Sequence, residues 1–257
     1  MTGLSVKEME AISQTRWDAL AKKRIFFGHQ SVGFNIIDGL DEIMKDMPSI
    51  KLNVKLSEDA EDFEGAVFAH SKIGKNGRPD LKIAEFEKIL DTGVGQQADA
   101  AFLKLCYIDF TGDADVEKIF SHYTQTMKKI QSKYSKLKLL HVTVPLKVAE
   151  SGVKARIKKV IGRRLVDNEE NIKRNQFNAM MRATYGKSGE LFDLAEHEST
   201  LSGGGRATFV EDGTEYFGLA SEWSDDGGHL NRSGRKRIAK ALLLFLAHRF
   251  DHTAEIA

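Results

Sequence analysis

Two short segments far apart in the chain hold residue types that can do acyl transfer. Phe27-Gly28-His29-Gln30-Ser31-Val32-Gly33 ends an apolar run near the N-terminus. Asp226-Gly227-Gly228-His229-Leu230-Asn231 lies just before the last helical pattern. A serine hydroxyl is a weak nucleophile until a base stands beside it, and a carboxylate behind that base fixes its tautomer. The three-residue spacing of Asp226 and His229 lets the carboxylate hold one ring nitrogen while the other faces a crevice. Gly28 and Gly33 permit a sharp turn and close approach around Ser31. Read alone, Ser31 is a helix N-cap, a position serine often fills; the Asp-x-x-His pair turns the reading toward a nucleophile. Asp225 is the competing acid, with the poorer spacing.

The elements that must position these residues follow from periodicity. Residues 5–21 read as an amphipathic helix with Ser5 and Glu8 as a capping box. Lys23 to Gly28 is a buried first strand, and Gly33 to Lys45 a helix with Ile36, Ile37, Leu40, Ile43 and Met44 on one face. Leu52–Leu56, Ala100–Ile108, Leu137–Val144 and Gly189–Leu194 read as further strands. Helical patterns cover about Leu81–Asp91, Asp115–Ser132, Asn168–Tyr185 and Arg232–Phe250. Strands alternating with helices predict an α/β protein, a three-layer α/β/α sandwich around a five-stranded parallel sheet. One insertion, residues 198–225, breaks the rhythm and reads as a β-hairpin around Asp212-Gly213. No linker divides the chain, so residues 1–257 are expected to form one domain. In such a sheet the ligand crevice lies at the carboxyl ends of the strands, where Ser31 and Asp226-x-x-His229 both fall.

Composition narrows the function classes. The net charge of +1 provides no global field to recruit nucleic acid. The single cysteine, Cys106, excludes an internal disulfide and a Cys-based zinc site. Asp193, His197 and His229 match no standard metal spacing, so no metal and no cofactor are expected. No apolar stretch approaches the length of a membrane span. Residues Met1 to Glu10 are polar and show no signal-peptide core, so a cytoplasmic location is the default expectation.

The run Asp226-Gly-Gly-His229-Leu230-Asn231-x-x-Gly234 resembles the last sequence block of the SGNH (GDSL-type) hydrolases, in which an Asp-x-x-His pair precedes the C-terminal helix. The strand–helix rhythm over residues 23–249 resembles that family too, as does Leu103–Asp109 followed by Thr111-Gly112 at the place of its Gly-x-Asn-Asp block. The resemblance implies a flavodoxin-like SGNH fold. It implies an esterase in which Ser31 is the nucleophile, His229 the base, Asp226 the orienting acid and the Ser31 N–H one oxyanion donor. It points to small-molecule or carbohydrate esters as substrates. This chain departs from the family in its first block, where Gly28-His29-Gln30-Ser31 replaces Gly-Asp-Ser. It departs again where Ile108 takes the place of the oxyanion asparagine and Cys106 that of the block's glycine. Gly74, Asn76 and Gly77 are then the candidates for the missing donors; the same Asn76-Gly77 also reads as a plain turn.

Other residues have two readings each. His29 is a substrate donor near the crevice or a structural hydrogen-bonder. Lys104, inside an apolar strand, needs a partner such as Asp109 or Glu64. Asp109 is a loop anchor or lies at the substrate, while Cys106 and His141 read as core. Trp223, Tyr216 and Phe217 form an aromatic wall for substrate or pack the hairpin. The basic stretch Lys154–Arg164 is a solvated helix face or a mouth for an anionic substrate. Beside the esterase stand two rivals: an acyltransferase using the same acyl-enzyme, and a non-catalytic binding module on a degenerate fold. A phosphate-binding flavodoxin-like protein is a weaker fit, because no Gly-rich or Ser/Thr-rich loop follows the first strand.

Overall fold

The computed structural model describes residues 9–250, apart from the side chains of Lys154 and Lys159. The expected capping box at Ser5 and Glu8 lies outside the described residues. Helix α1 (Gln14–Ala21) leads into β1 (Arg24–His29) and α2 (Val32–Asp46). Then come β2 (Val54–Leu56), β3 (Val67–Lys72), α3 (Pro79–Ile89), β4 (Ala100–Leu103), α4 (Val116–Lys133) and β5 (Lys138–Val142). After these follow α5 (Gly152–Val160), α6 (Val166–Tyr185), β6 (Leu191–Phe192) and α7 (Leu194–Ser199). The hairpin β7 (Thr208–Glu211) and β8 (Thr214–Phe217) precedes the closing helix α8 (Arg232–Arg249).

The sheet order is β2-β3-β1-β4-β5-β6, with every pair parallel. It has six strands, not the five expected. The additional strand is β3, and it lies beside β1, with Arg24 opposite Val67 and His29 opposite Lys72. Its apolar run is only Val67-Phe68-Ala69, and the polar His70-Ser71-Lys72 that follows reads as loop. A strand covered on both faces accepts polar residues where they find partners, and His70 Nδ1 lies 3.0 Å from His29 Nε2.

Other boundaries shift for local reasons. The strand expected over 100–108 ends at Leu103, and residues Tyr107–Asp109 form a short helical turn. The fifth expected strand shrinks to Leu191–Phe192. Asp193 accepts from the Glu196 N–H at 3.1 Å and starts α7 instead. Asp115 likewise caps α4 through the Lys118 N–H at 3.0 Å. The hairpin insertion is present: β7 and β8 are antiparallel, and Asp212 and Gly213 both have positive φ, as a tight hairpin turn requires.

Successive residues of β1 point to opposite faces and build two cores. Phe27 packs with Phe68, Phe102 and Leu140 under α2 and α8, whereas Phe26 packs with Ala101, Phe86 and Leu139 on the other face. No described helix is long and apolar enough to cross a membrane.

The pairing of α2 with α8 matters most for the site. Helix α2 begins directly after Ser31, and α8 begins just after His229. The two helices meet at Gly39, where an added Cβ would stand 2.5 Å from the Arg235 carbonyl oxygen and 2.9 Å from Ala239 Cβ. Exposed ion pairs flank the contact: Arg235 with Asp38 at 3.0 Å, Arg232 with Glu42 at 2.9 Å and Lys236 with Asp46 at 2.6 Å. Such pairs set register more than they add stability. Alanine normally stabilises a helix interior relative to glycine by about 1 kcal/mol. At this contact the clash with backbone dominates, so Gly39→Ala is expected to destabilise by a net of about 1–2 kcal/mol. Urea unfolding checks this as a lowered midpoint; a raised midpoint would contradict the close approach.

Candidate active site

Ser31 occupies the turn between β1 and α2 with φ 53° and ψ −112°. Among described non-glycine residues only Asp212, in the hairpin turn, shares a positive φ. This conformation costs on the order of 1–3 kcal/mol and persists where the surroundings impose it. Those surroundings are visible. A Cβ on Gly33 would stand 2.3 Å from the His29 ring, and one on Gly28 would stand 2.8 Å from Ile73 Cδ1. The Gln30 amide donates to the carbonyls of Ile73 and Gly74, at 2.6 and 2.7 Å. The Ser31 side chain makes no capping hydrogen bond to α2. Instead its Oγ lies 2.8 Å from His229 Nε2.

His229 is held from behind. Its Nδ1 lies 2.7 Å from Asp226 Oδ2. Asp226 Oδ1 accepts from the N–H groups of Gly228 at 2.8 Å and His229 at 2.7 Å. The hydrogen bond with the His229 ring, then those from the two backbone N–H groups, hold the Asp226 carboxyl far below the usual carboxylate range. Asp225 is turned elsewhere: its Oδ1 accepts from the Asn231 side chain at 3.4 Å. The loop has further anchors. Ser224 Oγ donates to the His229 carbonyl at 2.6 Å, and Asn35 on α2 accepts from the Leu230 N–H at 3.1 Å. Asn231 caps α8 through the Gly234 N–H at 3.0 Å. Asn35 carried no sequence signal, because its partner is a backbone group of a loop distant in sequence. The His229 and Asp226 side chains are 46% and 58% exposed, so the relay is open to solvent and substrate.

In the loop after β3 the two candidate backbone donors are engaged elsewhere, and the Asn76 side chain is tied to Lys82. The Gly74 N–H donates to Glu85 Oε2 at 2.5 Å, and the Gly77 N–H to Asp109 Oδ1 at 2.9 Å. Asn76 Oδ1 accepts from Lys82 Nζ at 3.2 Å. The Ser31 N–H has no acceptor among the described residues and remains available.

Several sequence expectations are corrected by burial. His29 is fully buried against His70, and burial, then the nearby Lys104 charge, lowers its pKa to about 2. It is a neutral structural group without access to the crevice. Lys104 pairs with neither Asp109 nor Glu64. Its ammonium donates to the Leu105 carbonyl at 3.2 Å and touches Cys106 Sγ at 3.4 Å. Asp109 is a buried anchor rather than a substrate contact. It accepts Lys82 Nζ on both oxygens at 2.7 Å, and it also takes the N–H of Cys106 at 2.7 Å. Trp223 packs inward, with its ring N–H donating to the Thr200 carbonyl at 2.8 Å and Arg237 over its face. Tyr216 stacks on Phe209, and Arg206 covers Phe217, so the hairpin aromatics pack the insertion. His141 accepts or donates at 2.9 Å with the Tyr123 hydroxyl in the core, and Asp193 is tied to Arg182. No three metal-ligating side chains converge among the described residues.

One residue at the site was missed. The turn at Tyr107–Asp109 sends Ile108 outward, 46% exposed, and brings the Tyr107 hydroxyl to 3.4 Å from His229 Nε2. A strand continued to Ile108 would not do this. The sequence signal was the turn itself: Asp109 closes onto the Cys106 N–H, as a capping residue three positions on does.

The Lys82–Asp109 pair is fully buried and holds both this turn and the Gly77 loop. Removing one partner of such a pair leaves an uncompensated charge, so Lys82→Met is expected to cost about 3–5 kcal/mol. In an Asp109→Asn background the same substitution should cost far less. Urea titrations of the four proteins form the test; equal costs in both backgrounds would contradict the pairing.

No protein-family model matches the sequence, and no curated protein matches it. Solved structures do resemble it. A Streptococcus pneumonia structure named for platelet activating factor superposes with a TM-score of 0.51 at 16% identity, over 94% of each chain. The periplasmic domain of a lipopolysaccharide acetyltransferase from Salmonella ser. Paratyphi A gives 0.46 at 12% identity, over 94% of this chain and 88% of the other. A Slackia heliotrinireducens protein assigned to the SGNH hydrolases gives 0.44 at 14%, over 87% and 97%. At these identities the likeness is one of architecture: the chain shares the α/β fold of the Streptococcus pneumonia structure, a parallel sheet between layers of helices.

Proposed function

We propose that this chain is a divergent SGNH serine hydrolase that cleaves a carboxylic ester. The observation that carries the reading is the continuous relay from Ser31 Oγ through His229 to Asp226, at 2.8 and 2.7 Å, joined to a strained backbone at Ser31. A helix cap needs neither the strain nor the histidine. The same two features speak against a binding module on a degenerate fold, in which nothing would maintain them.

The chemistry follows from the contacts. Ser31 Oγ attacks the ester carbonyl carbon while its proton passes to His229 Nε2. Asp226, acceptor-only when ionised, stabilises the imidazolium that forms. Collapse of the tetrahedral intermediate expels the alcohol, which takes the proton from Nε2 and leaves Ser31 acylated. Water, deprotonated by the same Nε2, then releases the acid and restores the hydroxyl. The open setting of His229 and Asp226 suits a small-molecule or carbohydrate ester presented at a surface, and an O-acetyl group is the acyl class we favour. Neither step asks for a metal or cofactor.

Purified protein should hydrolyse p-nitrophenyl acetate. Ser31→Ala should lower kcat by at least about 10³-fold, and Asp226→Asn should lower it by up to about 10⁴-fold with the fold intact. Full activity in Ser31→Ala would overturn the reading.

A further inference from the structure

The tetrahedral intermediate places a negative charge on the former carbonyl oxygen, and catalysis depends on donors aimed at it. The Ser31 N–H is one donor. Of the others expected from sequence, the Gly74 and Gly77 N–H groups donate to carboxylates, the Asn76 amide oxygen is held by Lys82, and the Ile108 side chain is apolar and turned to solvent. A second donor must come from a group already at the reacting atoms.

We propose that the Tyr107 hydroxyl is that donor, standing in for the asparagine of the family pattern; this rests on the Ser31 nucleophile reading. The Tyr107 hydroxyl lies 3.4 Å from His229 Nε2, the same atom that Ser31 Oγ approaches at 2.8 Å. It therefore sits beside Oγ, within reach of an oxygen one bond beyond the carbon that Oγ attacks. In the free protein it shares Nε2 with the serine; with substrate bound, the serine O–H keeps Nε2 and the tyrosine O–H turns to the carbonyl oxygen. Long contacts of this kind tighten in the productive complex.

The tyrosine is held for the task. Its backbone carbonyl accepts from Arg174 Nε at 2.9 Å, and the Arg174 guanidinium lies 5.7 Å from the ring centroid. Arg174 is itself buried and fixed by Asn171 at 2.8 Å and Glu170 at 2.5 Å. On the other side the ring closes on Gly228, where a Cβ would stand 3.1 Å from the hydroxyl. A Cβ at 228 would press on the ring and its hydroxyl. Burial raises the Tyr107 pKa above the usual phenol value, so the group keeps the proton it needs to donate.

Tyr107→Phe keeps the ring between Arg174 and Gly228 and removes only the hydroxyl. On p-nitrophenyl acetate it should lower kcat by about 10²–10³-fold with little change in KM. Affinity for a 1,1,1-trifluoro-2-alkanone should fall by a similar factor, since its hemiketal with Ser31 carries the same oxyanion. The apparent pKa of the rate profile should stay where it is in the wild type. Activity within threefold of wild type would overturn the proposal. So would a loss accompanied by a displaced pH profile, which would make Tyr107 a positioning residue for His229. An active Ser31→Ala protein would instead remove the nucleophile reading beneath both, whereas an inactive Ser31→Ala beside an active Tyr107→Phe would refute the tyrosine alone.

Discussion

The close contact of α2 with α8 at Gly39 governs the geometry of this protein. Ser31 ends the turn that starts α2, and His229 ends the loop that starts α8, so the distance between these two side chains is set by how the helices meet. Gly39 brings one helix against the backbone of the other. Asn35, one turn after Ser31, then accepts the Leu230 N–H and fixes the two loops to each other at 3.1 Å. A contact between rigid helices sets a separation that two exposed loops alone would not hold.

A second constraint acts from below the crevice. Asp109 and Lys82 neutralise each other in a fully buried setting, and Asp109 also gathers the N–H groups of Cys106 and Gly77. This closes the turn after β4, which ends the strand early and brings Tyr107 beneath His229. The pair is thus coupled to the site through backbone, not through its own charge. Glu198 plays a related part on the other side: its carboxyl Oε2 accepts the Leu146 N–H at 2.8 Å, at the root of the segment whose Val148 N–H reaches the Gly227 carbonyl. Burial pushes Glu198 up to about 8, so this support is largely protonated at neutral pH.

Much of this was legible in the sequence because it rests on periodicity and local spacing. The strand–helix alternation, the hairpin at Asp212-Gly213 and the Asp226–His229 spacing are short-range patterns. What was not legible depended on partners distant in sequence. Strand β3 holds a polar His70 because β1 offers His29 beside it. The sequence offered Lys104 as the buried partner of Asp109, whereas the fold sets Lys82 against it. Gly74, Asn76 and Gly77 had the right chemistry for an oxyanion, but carboxylates take the two glycine N–H groups and Lys82 holds the Asn76 carbonyl oxygen. Tyr107 was hidden by the apolar run that made residues 100–108 look like a single strand.

The central claim is that Ser31 is an activated nucleophile, and covalent trapping tests it most directly. After treatment with a fluorophosphonate, intact-mass measurement should show one phosphonyl adduct per chain, mapped by peptide sequencing to Ser31 and absent in His229→Ala. No adduct, or an adduct that persists in Ser31→Ala, would contradict the account.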